Sequence, residues 1–264
     1  MSGPRRTEDV GRPDVTHWST PVGRRAAAAA TDVGHRIGAH SFLTVSLGVG
    51  VAVAFVMAFL VARVYDAVTE DDGIASLDVP LLHAAMRLRS PSVDEFSAGI
   101  AYVFGPVGMP LMAVAAILVL ALRRRSRTPL ILIAGAGVGS LLMTVAGKDV
   151  IGRHRPPLAD AVPPFEYSPS FPSGHTLNAT VVAGVVGYLL WFHRRALVAK
   201  ILCVVVPVGV AVVVGLTRVL LGAHWFTDVV AAWLLGAAWL ALVITAHRLY
   251  LTARARGAPD RPQS

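Results

Sequence analysis

Long apolar stretches separated by short polar segments dominate the chain from residue 42 onward. A helix needs about 20 predominantly apolar residues to cross about 30 Å of hydrocarbon, because each residue advances the helix by about 1.5 Å. Six stretches approach this length: residues 42–62, 104–122, 130–147, 175–192, 201–217 and 227–246. The pattern predicts an all-α fold, an integral membrane bundle of six transmembrane helices.

The second predicted span is interrupted near its start. Gly105, Pro106 and Pro110 break an apolar pattern that already begins near Phe96. Proline lacks the N–H that continues a helical ladder, so a break is expected at these positions. The sequence therefore also predicts a short interfacial helix over residues 94–102.

Both ends of the chain are polar and divide it into three parts. Residues 1–40 contain six arginines together with Gly, Pro and Thr, a composition that predicts a disordered basic tail. We expect a cytoplasmic tail at 1–40, a six-helix membrane domain at 41–248 and a second cytoplasmic tail at 249–264. The apolar run 42–62 is longer than a signal-peptide core and lacks a small-residue cleavage site, so it should remain in the mature protein.

The placement of the basic residues predicts the orientation. They collect in the N-terminal tail, in "RRRSR" at 123–127, in "HRRALVAK" at 193–200 and in the C-terminal tail. With six spans, all four segments fall on one side, which the positive-inside rule makes the cytoplasm. The first loop on the other side is rich in acids: Asp66, Glu70, Asp71, Asp72, Asp78, Asp94 and Glu95. Both termini are therefore predicted to be cytoplasmic.

Composition agrees with a membrane protein and argues against binding of nucleic acid. The hydrophobic fraction is 55%, above the roughly 45–50% of soluble domains. The net charge of +8 is explained by the cytoplasmic segments. Cys203 is the single cysteine, so no intrachain disulfide forms. Gly135 and Gly139 have the small-xxx-small spacing, which we assign to packing within the chain. None of these features predicts an oligomeric state.

A second set of polar residues lies on the opposite, extracytoplasmic side, where topology does not explain it. Its members flank the predicted third, fourth and sixth spans: Lys148, Arg153, His154, Arg155, Ser173, His175, Arg218, His224 and Asp228. A charged side chain at the centre of a membrane helix costs about 2.5–3.5 kcal/mol on insertion scales, so such groups point by default to a functional site.

The cations of this set can form a cradle for a phosphate. Arginine's planar fork matches phosphate oxygens better than a point charge does. The segment "FPSGH" at 171–175 adds a helix start. There Ser173 can cap the helix, and the free N–H groups of Gly174 and His175 can point at an anion.

Two histidines and one carboxylate provide the reactive groups. His224 and Asp228 are four residues apart and would share a face if the sixth helix has already begun. A carboxylate on one imidazole nitrogen fixes the tautomer and frees the other nitrogen to attack, while His175 protonates the leaving oxygen. A zinc site from His154, His175 and His224 has no supporting ligand spacing. The acids Asp149, Asp160 and Glu166 are assigned to solvent or to nearby arginines; no metal or cofactor is predicted.

These residues resemble the motifs of the type 2 phosphatidic-acid phosphatases, a family that includes polyprenyl-diphosphate phosphatases and shares its site with vanadium haloperoxidases. The three motifs are Lys148-x6-Arg155-Pro156, Pro172-Ser173-Gly174-His175 and Arg218-x5-His224-x3-Asp228. Thr217 departs from the serine that is common in the family, but it keeps a hydroxyl.

The resemblance implies a role for each matching residue. His224 would form a phosphohistidine, Asp228 would orient it, and His175 would be the acid for the leaving group. The phosphoryl oxygens would be held by Lys148, Arg155, Ser173, Gly174 and Arg218. No metal would be needed, and Arg153 and His154 lie at variable motif positions outside this set.

The sequence therefore predicts a multi-pass cell-membrane phosphatase with its active site on the extracytoplasmic side. Its substrate would be phosphatidate, phosphatidylglycerophosphate or a polyprenyl diphosphate, reached by lateral access from the surrounding lipid. Three alternatives use the same cradle: a phosphotransferase with a hydroxyl acceptor, a haloperoxidase that binds vanadate, and a non-enzymatic binder or transporter of anionic lipids. Six spans argue against the second, and an oriented imidazole argues against the third.

Overall fold

A computed structural model describes the backbone of residues 73–256 continuously. Before residue 73 it describes only isolated helical positions: Pro21, Arg24, Arg25, Ala28, Ala52, Phe55, Val56, Phe59 and Asp66. The predicted N-terminal tail and the first predicted span, 42–62, therefore lie largely outside the described residues. Within the chain, residues 48–244 make one compact unit that contains the whole candidate site. A second unit combines residues 1–47 and 245–264.

The regular elements within residues 73–256 are all helices, and no strand occurs among these residues. Two short 3-10 helices are Gly73–Leu77 and Leu158–Asp160. The α-helices are α1 (Asp78–Arg87), α2 (Pro91–Val103), α3 (Gly108–Arg124), α4 (Thr128–Ile151), α5 (Gly174–Trp191), α6 (Leu197–Leu220) and α7 (Phe226–Arg256). The all-α prediction is confirmed for this part of the chain.

Three helices in the described ranges are long and apolar enough to cross a membrane: α4, α6 and residues 226–251 of α7. Helices α2 and α3 pass the same test as a pair, with a bend of 56° between them. The bend falls where Gly105 and Pro106 interrupt the pattern, and α2 matches the short helix predicted over 94–102. Helix α5 is 18 residues long and lies deepest in the helix bundle, with eight buried residues. The membrane character is thus supported, and six spans remain a prediction.

Local sequence explains where α2 and α4 begin and end. Ser90 caps α2, because its hydroxyl accepts from the Val93 N–H at 3.3 Å and Pro91 follows at the first helical position. Helix α4 also has a proline in its first turn. It ends at Gly152, which adopts the left-handed conformation with φ 61° that favours glycine. The chain then leaves the membrane helix into the loop that carries Arg153 and Arg155.

The core lies around α5, which packs against α4 on one side and α6 on the other. Its valines meet Ile133 and Ala136 of α4, and Trp239 closes the cluster. Gly139 permits this approach, since an added Cβ would lie 2.2 Å from the Trp239 ring. Glycine at 139 therefore serves packing within the chain, as expected, whereas Gly135 has nothing within 4 Å of its added Cβ.

Helix α6 turns an apolar face away from the protein. Val204, Val205, Val206 and Val208 are all exposed. In water such a face would be unfavourable, but lipid tails solvate it without cost. An apolar outer face of this kind is expected for a helix at the edge of a helix bundle in a membrane.

The two ends of the bundle differ in chemistry. At one end Arg124 of α3 donates a 2.6 Å hydrogen bond to the Leu189 carbonyl of α5. The arginine-rich connections 125–127 and 192–196 follow these helices at that end. The opposite end collects the C-termini of α4 and α6 with the N-termini of α5 and α7. All candidate site residues lie at this second end.

Candidate active site

The predicted site residues converge where four helix ends meet the loop 152–173. Direct contacts join Arg155 to His224, and a Glu166 carboxylate joins Arg218 to His175. Ser173 also approaches α7, because its backbone N–H donates to the Asp228 carbonyl at 3.3 Å. Three motifs that are far apart in the sequence therefore form one cluster.

The His224 ring is 1% exposed and sits between a cation and a carboxylate. Its Nε2 lies 3.2 Å from Arg155 Nη1, and its Nδ1 lies 3.6 Å from Asp228 Oδ2. An arginine has only donors, so Nε2 accepts this hydrogen bond with its lone pair. The ring proton of the neutral imidazole is then on Nδ1, the nitrogen that faces Asp228. The lone pair on the cradle side is the feature a nucleophile needs.

Asp228 is fully buried and is anchored at both oxygens. Oδ2 accepts from Ser170 Oγ at 2.5 Å and from the Trp225 N–H at 3.0 Å. Trp225 precedes α7 and Asp228 is its third residue, so this contact is half of a capping box. His224 thus lies before the start of α7. The predicted placement of His224 and Asp228 on one face requires a helix that has already begun at His224, and this condition is wrong. The two side chains meet because Asp228 folds back over the helix start.

Arg155 and Arg218 form the centre of the cradle. Arg155 Nη2 lies 2.8 Å from Glu166 Oε2, while its Nε and Nη1 donate to the carbonyls of Ser168 and Ala223 at 2.6 and 2.5 Å. Burial lowers the pKa of the Arg155 guanidinium. The contacts with Ser168 in the loop and with Ala223 in the turn before α7 fix the position of this guanidinium group.

Arg218 is 0% exposed at the end of α6. Its Nη2 donates to Glu166 Oε1, but the buried Nε and Nη1 have no hydrogen-bond partner. Buried donors of a charged group are normally satisfied, because an unsatisfied one costs free energy. Two such donors beside His224 and His175 are what an oxyanion-binding group requires.

Glu166 places a carboxylate inside the cradle. Oε1 contacts Arg218 and lies 3.4 Å from His175 Nδ1, while Oε2 lies 3.7 Å from His224 Nε2. Burial alone would raise the pKa of Glu166, but the positive charges around its carboxylate, that of Arg218 among them, outweigh this and hold the pKa well below its usual value. Glu166 is therefore ionised and pairs with arginines, one of the two assignments expected from the sequence.

His175 lies in the first turn of α5 with its Nδ1 towards Glu166. Its Nε2 points at the bend between α2 and α3, where an added Cβ on Gly105 would lie 3.4 Å away. The bend thus provides one wall of the site. The cradle side of the ring is Nδ1, the nitrogen placed to pass a proton to a bound group.

The remaining predicted ligands line the cradle less directly. Lys148 Nζ donates to Ser168 Oγ at 2.8 Å and to the Pro169 carbonyl at 2.5 Å. Gly174 packs so closely that an added Cβ would lie 2.9 Å from Thr144 Cγ2. The expected side-chain cap by Ser173 is wrong. Ser173 is the N-cap residue but makes no side-chain cap bond, because its hydroxyl pairs with Thr176 Oγ1 at 2.9 Å.

A cavity of about 380 Å³ opens beside the cradle under the loop 152–169. Arg155 and Glu166 form its inner wall, and Tyr167 lies at the rim with 83% of its surface exposed. His154 also lines the cavity, through an exposed side chain. The cavity provides room for a group attached to a bound phosphoryl group.

Five residues that contact the site fall outside the eight site residues predicted from the motifs: Asp78, Arg153, Glu166, Ser170 and Thr227. Arg153 falls at a variable motif position and Asp78 lies in the acid-rich first loop, so the motifs predict a role for neither. One signal was available. Trp225 cannot cap a helix with its side chain, so the start of α7 needs an acceptor from elsewhere.

In the described ranges, no group of three or more His, Cys, Asp or Glu side chains is arranged to hold a metal ion. The positive charge that faces the cradle comes from Lys148, Arg155 and Arg218. Positioned cations of this kind can stabilise charge on a transferring phosphoryl group. The arrangement can bind a phosphoryl group beside an oriented imidazole.

Comparisons with known proteins agree with this geometry. The profile of the PAP2 superfamily matches residues 128–250, which include every candidate site residue. Phosphatidylglycerophosphatase B of Bacillus subtilis (strain 168) is 33% identical over 196 residues, covering 67% of this chain and 87% of that protein. A crystal structure of the first transmembrane PAP2 type phosphatidylglycerolphosphate phosphatase from Bacillus subtilis matches with a TM-score of 0.62 and 28% identity, over 73% of this chain and 92% of that one.

Proposed function

The chain belongs to the PAP2 superfamily and is a membrane lipid phosphatase, and on this premise we propose that it hydrolyses a lipid phosphate through a phosphohistidine on His224, at the extracytoplasmic face. One observation carries the proposal. His224 Nε2 accepts from Arg155 at 3.2 Å and faces the cradle, while Nδ1 faces Asp228 at 3.6 Å. The ring is thus oriented with its lone pair towards the place where an anion binds.

The first half-reaction transfers the phosphoryl group to the enzyme. The Nε2 lone pair of His224 attacks phosphorus, a P–N bond forms, and the bond from phosphorus to the lipid oxygen breaks. His175 gives its Nδ1 proton to the departing oxygen, so the lipid leaves as an alcohol or, from a diphosphate, as a monophosphate. Asp228 stabilises the positive charge on the substituted imidazole.

The second half-reaction returns the enzyme to its starting state. Water attacks phosphorus, His175 takes one proton from that water, and the P–N bond breaks. Inorganic phosphate leaves and His224 is again neutral. Arg155 and Arg218 hold the three equatorial phosphoryl oxygens in both steps, where charge develops in the transition state.

The substrate proposed first is phosphatidylglycerophosphate, because the curated relative at 33% identity is a phosphatidylglycerophosphatase. Phosphatidate and polyprenyl diphosphates are the alternatives, since each presents a similar terminal phosphoryl group. The cavity beside Arg155 leaves room for the part of the lipid that is next to the phosphoryl group.

A substrate panel tests this function. We expect the purified protein in detergent to release phosphate from phosphatidylglycerophosphate with a higher kcat/KM than from phosphatidate or a C55 polyprenyl diphosphate. We also expect EDTA to leave the rate within twofold, because arginine and lysine provide the positive charge. Phosphate release is measured by a colorimetric assay. No release from any of the three lipids would contradict the proposed function, and loss of activity in EDTA would contradict metal independence.

Phosphotransfer to a hydroxyl group is the alternative enzymatic function, because an alcohol can replace water in the second half-reaction. Product analysis with glycerol or a lipid alcohol as acceptor separates the two. A transferase forms a new phosphate ester, whereas a hydrolase releases inorganic phosphate alone. Membership of a phosphatase family argues against the non-enzymatic lipid binder.

The six-span arrangement with cytoplasmic termini, and with the boundaries 1–40, 41–248 and 249–264, is part of the proposal. Two features support it. The arginine-rich connections 125–127 and 192–196 lie at the end opposite the site, and positive segments resist translocation. The apolar run 42–62 provides a first span.

Cysteine labelling tests the orientation. In a Cys203→Ala background, a membrane-impermeant maleimide should label Tyr167→Cys in intact cells, because Tyr167 lies at the rim of the cavity and is exposed. It should label Arg195→Cys, which is exposed in the opposite connection, only after permeabilisation. Labelling is followed by a gel shift. The reverse pattern would place the site in the cytoplasm and overturn the orientation.

A further inference from the structure

Arg153 bridges two buried carboxylates next to the proposed nucleophile. Its Nη1 donates to Asp228 Oδ1 at 2.5 Å, and its Nη2 donates to Asp78 Oδ2 at 2.6 Å. Asp78 is 4% exposed and Asp228 is 0% exposed. Two buried carboxylates on one arginine form a charge-assisted network and not a surface ion pair.

Asp78 has a second contact, with the start of α7. Its Oδ1 accepts from the Thr227 N–H at 2.9 Å, and its Oδ2 accepts from Thr227 Oγ1 at 2.6 Å. Thr227 is the second residue of α7, so its N–H is one of those that have no acceptor within the helix. Asp78 thus caps α7 from another helix, in place of the side-chain cap that Trp225 cannot provide.

The contacts run in an unbroken line from α1 to the reactive imidazole. Asp78 fixes Arg153, Arg153 fixes Asp228 Oδ1, and the other oxygen of Asp228 faces His224 Nδ1. The charges alternate along this line. Each buried charge therefore has an opposite charge beside it, which offsets its loss of hydration.

We propose that Asp78 and Arg153 are positioning residues of the proposed reaction, which hold Asp228 Oδ1 so that Oδ2 stays directed at His224. This inference rests on the proposed function. Oδ2 of Asp228 is held by Ser170 Oγ and by the Trp225 N–H, and a carboxylate held at this oxygen alone can still turn about it. Anchoring Oδ1 on Arg153 keeps Oδ2 on the side of the imidazole.

Asp78→Asn is the most direct variant, because it removes the charge but leaves an amide oxygen for the Thr227 N–H. We expect kcat on phosphatidylglycerophosphate to fall about 10- to 100-fold with KM within twofold, since Asp78 acts through Asp228 and not on the substrate. Glu95→Gln is the matched control, because Glu95 is an exposed acid of the same acid-rich stretch that the sequence predicts as the first extracytoplasmic loop. It should keep the wild-type kcat.

A double-variant cycle separates positioning from a merely structural role. If Asp78 acts through Asp228, then Asp78→Asn should lower kcat by less than threefold in an Asp228→Asn background, because residues that act as a unit are not additive. Independent, multiplying losses would overturn the proposal. If Asp78→Asn reduces the yield of folded protein, the same cycle is made with Arg153→Lys, which keeps the charge but cannot bridge two carboxylates.

The wild-type and His224→Ala proteins in the same assay distinguish the two levels of inference. Turnover by wild type, with none by His224→Ala, supports the proposed function. An Asp78→Asn kcat within threefold of wild type would then overturn the positioning role alone. No turnover by wild type would overturn the proposed function and the positioning role with it.

Discussion

Replacement of His224 by alanine is expected to lower kcat for phosphate release by at least about 10⁴-fold, as removal of a nucleophile does in other covalent mechanisms. The side chain is 1% exposed, and its Nε2 is the imidazole nitrogen that faces Arg155. No other side chain in the described part of the cluster presents a comparable oriented lone pair. The assay is release of inorganic phosphate by protein in detergent.

A trapping experiment makes this prediction specific to the covalent step. Substrate with a labelled terminal phosphate should leave an acid-labile label on the wild-type protein and none on His224→Ala. His193→Ala is the matched control, because His193 is an exposed histidine in the connection 192–196, at the end of the bundle opposite the site. It should retain both activity and label. Retained turnover by His224→Ala would remove this residue as the nucleophile.

Arg218→Lys is expected to reduce kcat/KM by about 10²- to 10³-fold, the range found when one oriented group is removed from a transition-state site. Lysine keeps the charge but loses the planar fork, and the two buried donors of Arg218 that have no partner are lost with it. The change should appear mainly in kcat, because the phosphoryl charge that needs these donors grows in the transition state.

Arg195→Lys serves as the control for the arginine-to-lysine change, since Arg195 is exposed at the opposite end of the bundle. It should leave kcat/KM unchanged. Size-exclusion elution and thermal unfolding of each variant check that the buried substitution leaves the fold intact. A folded Arg218→Lys protein with activity within threefold of wild type would contradict the role of Arg218 in holding the phosphoryl group.

Much of the helical layout was predictable because its cause is local. Apolar length marks α4, α6 and α7, and the Gly105 and Pro106 interruption marks the bend between α2 and α3. Helix α5 was predictable in position but differs in character. It is surrounded by other helices, so its polar residue Asn178 can pair with Ser140 at 2.5 Å inside the bundle.

The part of the site that the three sequence motifs contain was predictable. The eight candidate residues lie at one end of the bundle, because α4, α5, α6 and α7 alternate in direction. The prediction about Ser173 failed on a local detail, since its hydroxyl pairs with Thr176 Oγ1 and not with a helix N–H.

The partners of the motif residues were not predictable, because they come from segments without periodicity. Asp78 reaches Thr227 across 149 positions of sequence, and Glu166 reaches Arg218 across 52. Nothing in the spacing of an irregular loop fixes which carboxylate turns inward. Which carboxylate turns inward depends on how α1 and the loop 152–173 pack on the helix ends.

Glu166 has a further consequence for the enzyme's affinity. If Arg155 and Arg218 hold the phosphoryl group as proposed, an incoming phosphoryl group meets a tethered competitor at high effective concentration, because the Glu166 carboxylate already contacts both arginines. The apparent dissociation constant is then larger than the intrinsic one, by the inverse of the fraction of time in which the carboxylate has swung away. The same competitor opposes rebinding of the released phosphate ion, so product inhibition is weakened by the same factor as substrate affinity.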